Sequence, residues 1–165
     1  MQNFNNWLLI LNFECKSFRP NIINMEIQRL TSYTATQFEN IKTLMGVLSS
    51  HCTLTEEMLA DTLANAHLCV LCDGVRIVGC ATLSVFYSPT GRKASIEDVV
   101  VLPEFQGMGI GRKLMEYIIV EAKKMAPISL QLTSRPSRVA ANILYKNLGF
   151  QPKETNCYVM KLAKL

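Results

Sequence analysis

The stretch EDVVVLPEFQGMGIGRKLMEYII, residues 97–119, decides how the chain is read. It passes from an apolar strand into glycines at 107, 109 and 111 and then into a helix. Glycine has no Cβ, so a ligand can lie against the peptide plane. The first turn of a helix adds unpaired N–H groups and the positive end of the dipole. Together these make an anion seat suited to a phosphate or pyrophosphate. Two common phosphate loops do not match. A Walker loop needs Lys-Ser/Thr after its last glycine, whereas Gly111 is followed by Arg112-Lys113-Leu114. A dinucleotide loop needs G-x-G-x-x-G and an acid on the next strand; here the glycines alternate and ISLQLTS, residues 128–134, carries no acid.

Outward from this loop, the pattern predicts a strand over 25–30, helices over about 35–49 and 55–65, and strands over 68–72, 76–87 and 94–102. Asp73-Gly74 signals a hairpin. The helix after the loop covers about 109–125 and stops before Pro127, and a strand follows over 128–134. A last helix over about 137–148 ends at Gly149, and FQPKETNCYVMKL, residues 150–162, supplies two closing strands. The order implies an α+β fold: a mainly antiparallel sheet flanked by helices, with one βαβ crossover through the glycine loop.

The 165 residues suit one domain with a sizeable core, and 49 % of them are apolar. The formal net charge of +4 is modest and its basic residues are dispersed, which argues against nucleic acid as a partner. Six cysteines read as reduced, buried small hydrophobes of a cytoplasmic protein rather than a disulfide framework. Cys69 and Cys72 lie on a strand, where residues three apart face opposite ways, so no metal is expected there. The apolar run Trp7–Leu11 is too short for a membrane span and lacks signal-peptide flanks. We expect residues 1–24 to be an N-terminal extension and the compact domain to cover 25–165.

Gln106, Gly109 and Gly111 form Q-x-x-G-x-G, preceded by IEDVVVLPEF and followed downstream by ANILYKNLGF. In these motifs, and in their order over about residues 25–162, the chain resembles the GNAT superfamily of N-acetyltransferases. The resemblance implies acetyl-coenzyme A as co-substrate, without a metal. Main-chain groups of Val99 and Val101 would pair with the pantetheine arm. Backbone N–H groups across Gln106, Gly107, Met108, Gly109, Ile110, Gly111 and Arg112 would hold the pyrophosphate. The thioester would then enter a cleft between the strands at 96–101 and 128–134. Asn142 would bond the arm, and Tyr145 would stand beside the sulfur.

On the last helix, Ala141, Leu144 and Leu148 form an apolar stripe, and Arg138, Asn142 and Tyr145 form a second one. A phenol of pKa about 10 can protonate a departing thiolate, which makes Tyr145 the candidate general acid. An attacking amine must also lose a proton. Glu97 is the candidate base and Asp98 the alternative; strand alternation lets at most one of them face the cleft. His51 and His67 fall in no catalytic pattern. The implied reaction is direct attack of a small-molecule primary amine on the thioester within a ternary complex. IEDVVV also resembles glucosamine 6-phosphate N-acetyltransferases, and Arg135 and Arg138 could hold such a phosphate. A protein acetyltransferase acting on lysine or an N-terminus, and a non-catalytic acyl-coenzyme A binding module, stay open, as does a homodimer.

Overall fold

The computed structural model describes residues 25–162. The expected extension at 1–24 lies outside the described residues. Five strands form one sheet in the order β1-β2-β3-β4-β5, built from Met25–Arg29, His67–Asp73, Arg76–Ser88, Gly91–Val101 and Ser129–Leu132. The first four pair antiparallel, and β4 pairs parallel with β5 through the crossover helix.

Helices α1 (Ala35–Leu48) and α2 (Glu56–Asn65) fill the connection between β1 and β2. Both start at a threonine. Thr34 and Gln37 form a reciprocal capping box, and the Thr55 hydroxyl accepts from Met58 N–H. Helix α3 (Ile110–Lys123) follows a short 3₁₀ turn over Pro103–Phe105, and α4 (Val139–Asn147) follows β5. Phe105, Ile110, Leu114, Met115 and Ile118 are fully buried, so the entry to α3 is fastened to the sheet by apolar packing on both sides of the glycines.

Two expectations need correction. Residues 150–162 form no strand: they are irregular and, beyond Phe150, exposed. Among the described residues their apolar side meets no strand edge, and without ladder partners a strand does not form. The cysteines divide as well. Cys69, Cys72 and Cys80 are buried, and burial pushes all three thiols up, Cys69 to about 11. Cys52 and Cys157, by contrast, are exposed. Cys69 and Cys72 pack into different apolar clusters, as strand alternation requires. Among the described residues no group of three or more His, Cys, Asp or Glu could hold a metal ion, and no helix is long and apolar enough to cross a membrane.

Candidate active site

The loop takes the form its glycines suggested. Gly107 and Gly109 have φ of +75° and +78°, and Gly109 is the N-cap of α3. The first intrahelical bond there runs from Lys113 N–H to the Gly109 carbonyl at 3.0 Å. Helix geometry therefore leaves the N–H groups of Ile110, Gly111 and Arg112 without partners inside the helix. A Cβ placed on Gly107 or Gly109 would meet nothing within 4 Å, so the space above the loop is open to a ligand. Gln106 does something else. Its N–H donates to the Pro103 carbonyl at 3.2 Å, and its side-chain amide donates to the Val101 carbonyl at 3.0 Å. This residue ties the loop to the end of β4 rather than offering its own N–H to an anion. Met108 is half-buried against the main core.

The loop lines one end of a groove of about 780 Å³ that runs along β4 past Val99 and Val101 to α4. Leu102 N–H donates to Val78 on β3, so the main-chain groups of Val101 point the other way, into the groove. The groove exists because the sheet divides. Parallel pairing of β4 with β5 stops at Ile96 opposite Leu132, and beyond it the strands separate. At the same place β4 carries a bulge: Cys80 faces Val100 and Thr82 faces Glu97, which leaves Asp98 and Val99 opposite Ala81 alone. Asp98 absorbs the extra residue at φ +52°, in the left-handed region that Asp tolerates better than most residues.

The bulge overturns a geometric expectation. Strict alternation would place Glu97 and Asp98 on opposite faces, but both line a second cavity of about 510 Å³. Ser95 Oγ donates to the Glu97 carboxylate and orients it. Partial burial, reinforced by the neighbouring Glu97 charge, raises the Asp98 pKa above the usual carboxylate value. Arg135 and Arg138 also line this cavity.

Leu48, Val99, Arg138 and Tyr145 are common to both cavities. Arg138 reaches across with its guanidinium to the Leu48 carbonyl at 3.4 Å, which links α4 to the end of α1. Tyr145 is 8 % exposed; burial raises its phenol pKa, and the Arg138 charge opposes that shift. What fixes this ring is the end of its helix. Phe150 N–H bonds the Tyr145 carbonyl and Gly149 N–H bonds the Lys146 carbonyl, each at 3.0 Å, with Gly149 at φ +95°. This is a Schellman ending, and its usual apolar contact is the edge-to-face pair Tyr145–Phe150 at 6.3 Å.

Asn142 turns its amide back onto its own chain. Its amide donates to the Arg135 and Arg138 carbonyls at 2.9 and 3.0 Å, and it lines a third cavity, on the far side of Tyr145 from the glycine loop. His51 and His67 line neither half of the groove. Sequence reasoning missed the bulge, the contribution of Leu48 and the supporting role of Phe150. A residue tolerant of the left-handed region inside a strand was the only signal for the first, and Leu-Gly-Phe after a helix was the signal for the last.

The glycine-loop groove opens through a split in the sheet onto a buried phenol and two carboxylates. The Acetyltransferase (GNAT) family model matches residues 33–150, and the chain belongs to that family. Over 58 residues it is 40 % identical to the ribosomal protein bS18-alanine N-acetyltransferase of Escherichia coli, a match spanning 35 % of this chain and 39 % of that one. An uncharacterized N-acetyltransferase of Porphyra purpurea is 33 % identical over 75 residues, 46 % of this chain and 40 % of the other. Among solved structures, an aminoglycoside acetyltransferase from an uncultured soil metagenome superposes with TM-score 0.73 at 20 % identity, over 85 % of this chain and 97 % of its own. The glucosamine-6-phosphate N-acetyltransferase of Arabidopsis thaliana gives 0.69 at 20 % identity, over 82 % and 97 %. At such identities these two likenesses concern the fold alone.

Proposed function

We propose that the protein is an N-acetyltransferase that uses acetyl-coenzyme A to acetylate a primary amine of a small molecule. The observation that carries this reading is the place of Tyr145, where the glycine-loop groove and the carboxylate cavity meet. When bound, the co-substrate supplies an activated acyl group as a thioester. The N–H groups of Ile110, Gly111 and Arg112, with the space above Gly107 and Gly109, fit its pyrophosphate. The Val101 N–H and the main-chain groups of Val99 suit an extended amide-bearing arm; the Val101 carbonyl already accepts from the Gln106 amide.

Residues of the chain divide the proton traffic. The Glu97 carboxylate, held by Ser95, accepts the proton that the ammonium form of the acceptor must lose before its nitrogen can attack. Asp98 shares the cavity and adds negative charge that draws a cationic amine. As the nitrogen–carbon bond forms and the carbon–sulfur bond breaks, the Tyr145 hydroxyl donates its proton to the departing sulfur. Burial raises the phenol's pKa, so the proton is fully present at neutral pH and available for that step. A cleft of about 510 Å³ lies within the size range of small-molecule sites.

A second reading, transfer to the terminal α-amine of a protein, is favoured by the partial likeness to an enzyme that acts on a ribosomal protein alanine. One assay separates the two. Thiol release from acetyl-coenzyme A is measured against amines, amino sugars and peptides with a free N-terminal alanine. Preference for an amine or amino sugar supports the first reading and preference for the peptides the second. No release with any acceptor, together with no cofactor-induced rise in melting temperature, sinks both.

A further inference from the structure

The cavity of about 510 Å³ has two walls of opposite charge. Glu97 and Asp98 lie on the β4 side of the split in the sheet, and Arg135 and Arg138 lie across it, on the connection from β5 into α4. The two pairs do not neutralise each other. Among the described residues the ion pairs are Lys42–Glu39, Arg76–Glu104, Arg112–Glu116 and Lys124–Glu121, and none joins these walls. Because the formal charges of the two walls balance, the cleft has little net pull on a dication or a dianion. Their separation sets up a field that orients a molecule carrying both signs.

The basic wall is braced and short of partners. Arg138 N–H donates to the Arg135 carbonyl at 3.0 Å, and the Asn142 amide donates to the carbonyls of both residues, so the turn that carries the two guanidiniums is closed from inside. The Arg138 guanidinium reaches the neutral Leu48 carbonyl at 3.4 Å. That bond is long, and a carboxylate or phosphate offers a charge-assisted one of roughly twice the strength. Ser134 lines the same cavity, and its hydroxyl is buried without a hydrogen-bond partner. Buried hydroxyls normally have one. Rotation about a single bond presents this one to a group lying beside the arginines.

We propose that the acceptor is an amine that also carries an anionic group, a carboxylate or a phosphate ester. The amine sits at Glu97 and Asp98, and the anion is held by Arg135, Arg138 and the Ser134 hydroxyl, taking over the donors that Arg138 now turns to Leu48. This rests on the proposed function and names the acceptor class for it. An acceptor fixed at both ends gives up most of its freedom to turn before its nitrogen meets the thioester.

The test uses matched acceptors of equal chain length: ω-amino alcohols, the corresponding ω-amino carboxylates and the phosphate esters of the alcohols, with diamines as the control of opposite charge. In thiol release from acetyl-coenzyme A, kcat/KM should be at least about tenfold higher for an anionic member than for its alcohol. Whether carboxylates or phosphate esters lead tells which anion is taken, and either supports the proposal. Arg135 lines this cavity and not the glycine-loop groove. Arg135→Gln should therefore narrow the preference through KM for the anionic acceptor, and Arg135→Lys should restore part of it. With Arg138→Gln added, the preference should fall to within about twofold. Ser134→Ala should narrow it least. Calorimetric binding of the same acceptors to the protein without co-substrate needs no turnover, and the same order should appear there. Alcohols or diamines that match the anionic acceptors overturn the proposal, as does a preference that survives the double substitution. So does a rise confined to KM for acetyl-coenzyme A, which would assign the arginines to the co-substrate. Equal release with alcohols leaves the proposed function standing while the acceptor class falls. No release with any acceptor and no rise in melting temperature with acetyl-coenzyme A sinks the proposed function, and calorimetry still decides whether the cavity selects the anionic molecules.

Discussion

The two ends of the groove are made of different material. At the α3 end the working parts we propose are peptide N–H groups, set by glycines whose spacing is written in the chain. At the carboxylate end they are side chains, and their placement depends on a one-residue bulge and on how α4 stops. The first kind of site tolerates most changes of neighbouring side chains but not a change of backbone. The second keeps its backbone and loses its chemistry one functional group at a time.

Substitutions at four positions press on that difference, from the largest expected effect to the smallest. Gly109→Asp should abolish cofactor binding and with it all turnover, since it sets a carboxylate where an anion is to be seated. With the unaltered chain, cofactor at a hundredfold excess over Kd should add about 2.7 kcal/mol of stability, or roughly 5 to 10 °C in Tm. The aspartate variant should show none of this shift in a thermal melt. Gly109→Asn, equally tolerant of the left-handed region, should keep part of it. If the two variants behave alike, strain rather than charge is responsible.

Tyr145→Phe addresses the other end. It should leave the cofactor-induced shift intact and lower kcat by about 10² to 10⁴, as loss of a general acid does. Full turnover in single-turnover measurements would make the hydroxyl dispensable and leave the ring as packing for Phe150. Glu97→Gln should cost less, about tenfold in kcat/KM near pH 7, and the deficit should shrink at alkaline pH as solvent deprotonates the amine. An unchanged pH–rate profile would move the base to Asp98.

The smallest effect concerns stability alone. Burial and the charge of Glu97 raise the folded-state pKa of Asp98, so the folded chain holds that proton more tightly than the unfolded one. Stability linked to this group is therefore greatest below the ordinary carboxylate pKa and declines as pH rises through the folded value. Asp98→Asn retains the left-handed geometry and removes the charge. It should raise Tm by a degree or two at pH 7, with the gain vanishing in mild acid. A gain that persists at low pH would point to packing instead.

Legibility followed the same division. The order of strands and helices from Met25 to Gly149 could be read from periodicity and turn residues, because each depends on local spacing. The loop could be read because few arrangements of three glycines before a helix are useful. Asp98 shows where such reading stops. Alternation separates it from Glu97, and only the register between β3 and β4, a contact between distant parts of the chain, reveals that both enter one cavity. Residues 150–162 show the complementary limit. Their pattern does suit a strand, yet a strand also needs an edge in the right place, and pattern does not supply one. Asn142 lies on the face its spacing implies, but its amide is occupied by the carbonyls of Arg135 and Arg138.

The Schellman ending of α4 works as a ruler. The helix is halted at Gly149 by backbone geometry, and Tyr145 is reached by counting back from that stop rather than forward from β5. Each residue of a helix advances the side-chain direction by about 100°. One residue inserted between Tyr145 and Gly149 would swing the phenol out of the groove while leaving every strand in place. The interval of four from phenol to glycine must therefore be kept if the proton is to be delivered where the two cavities meet.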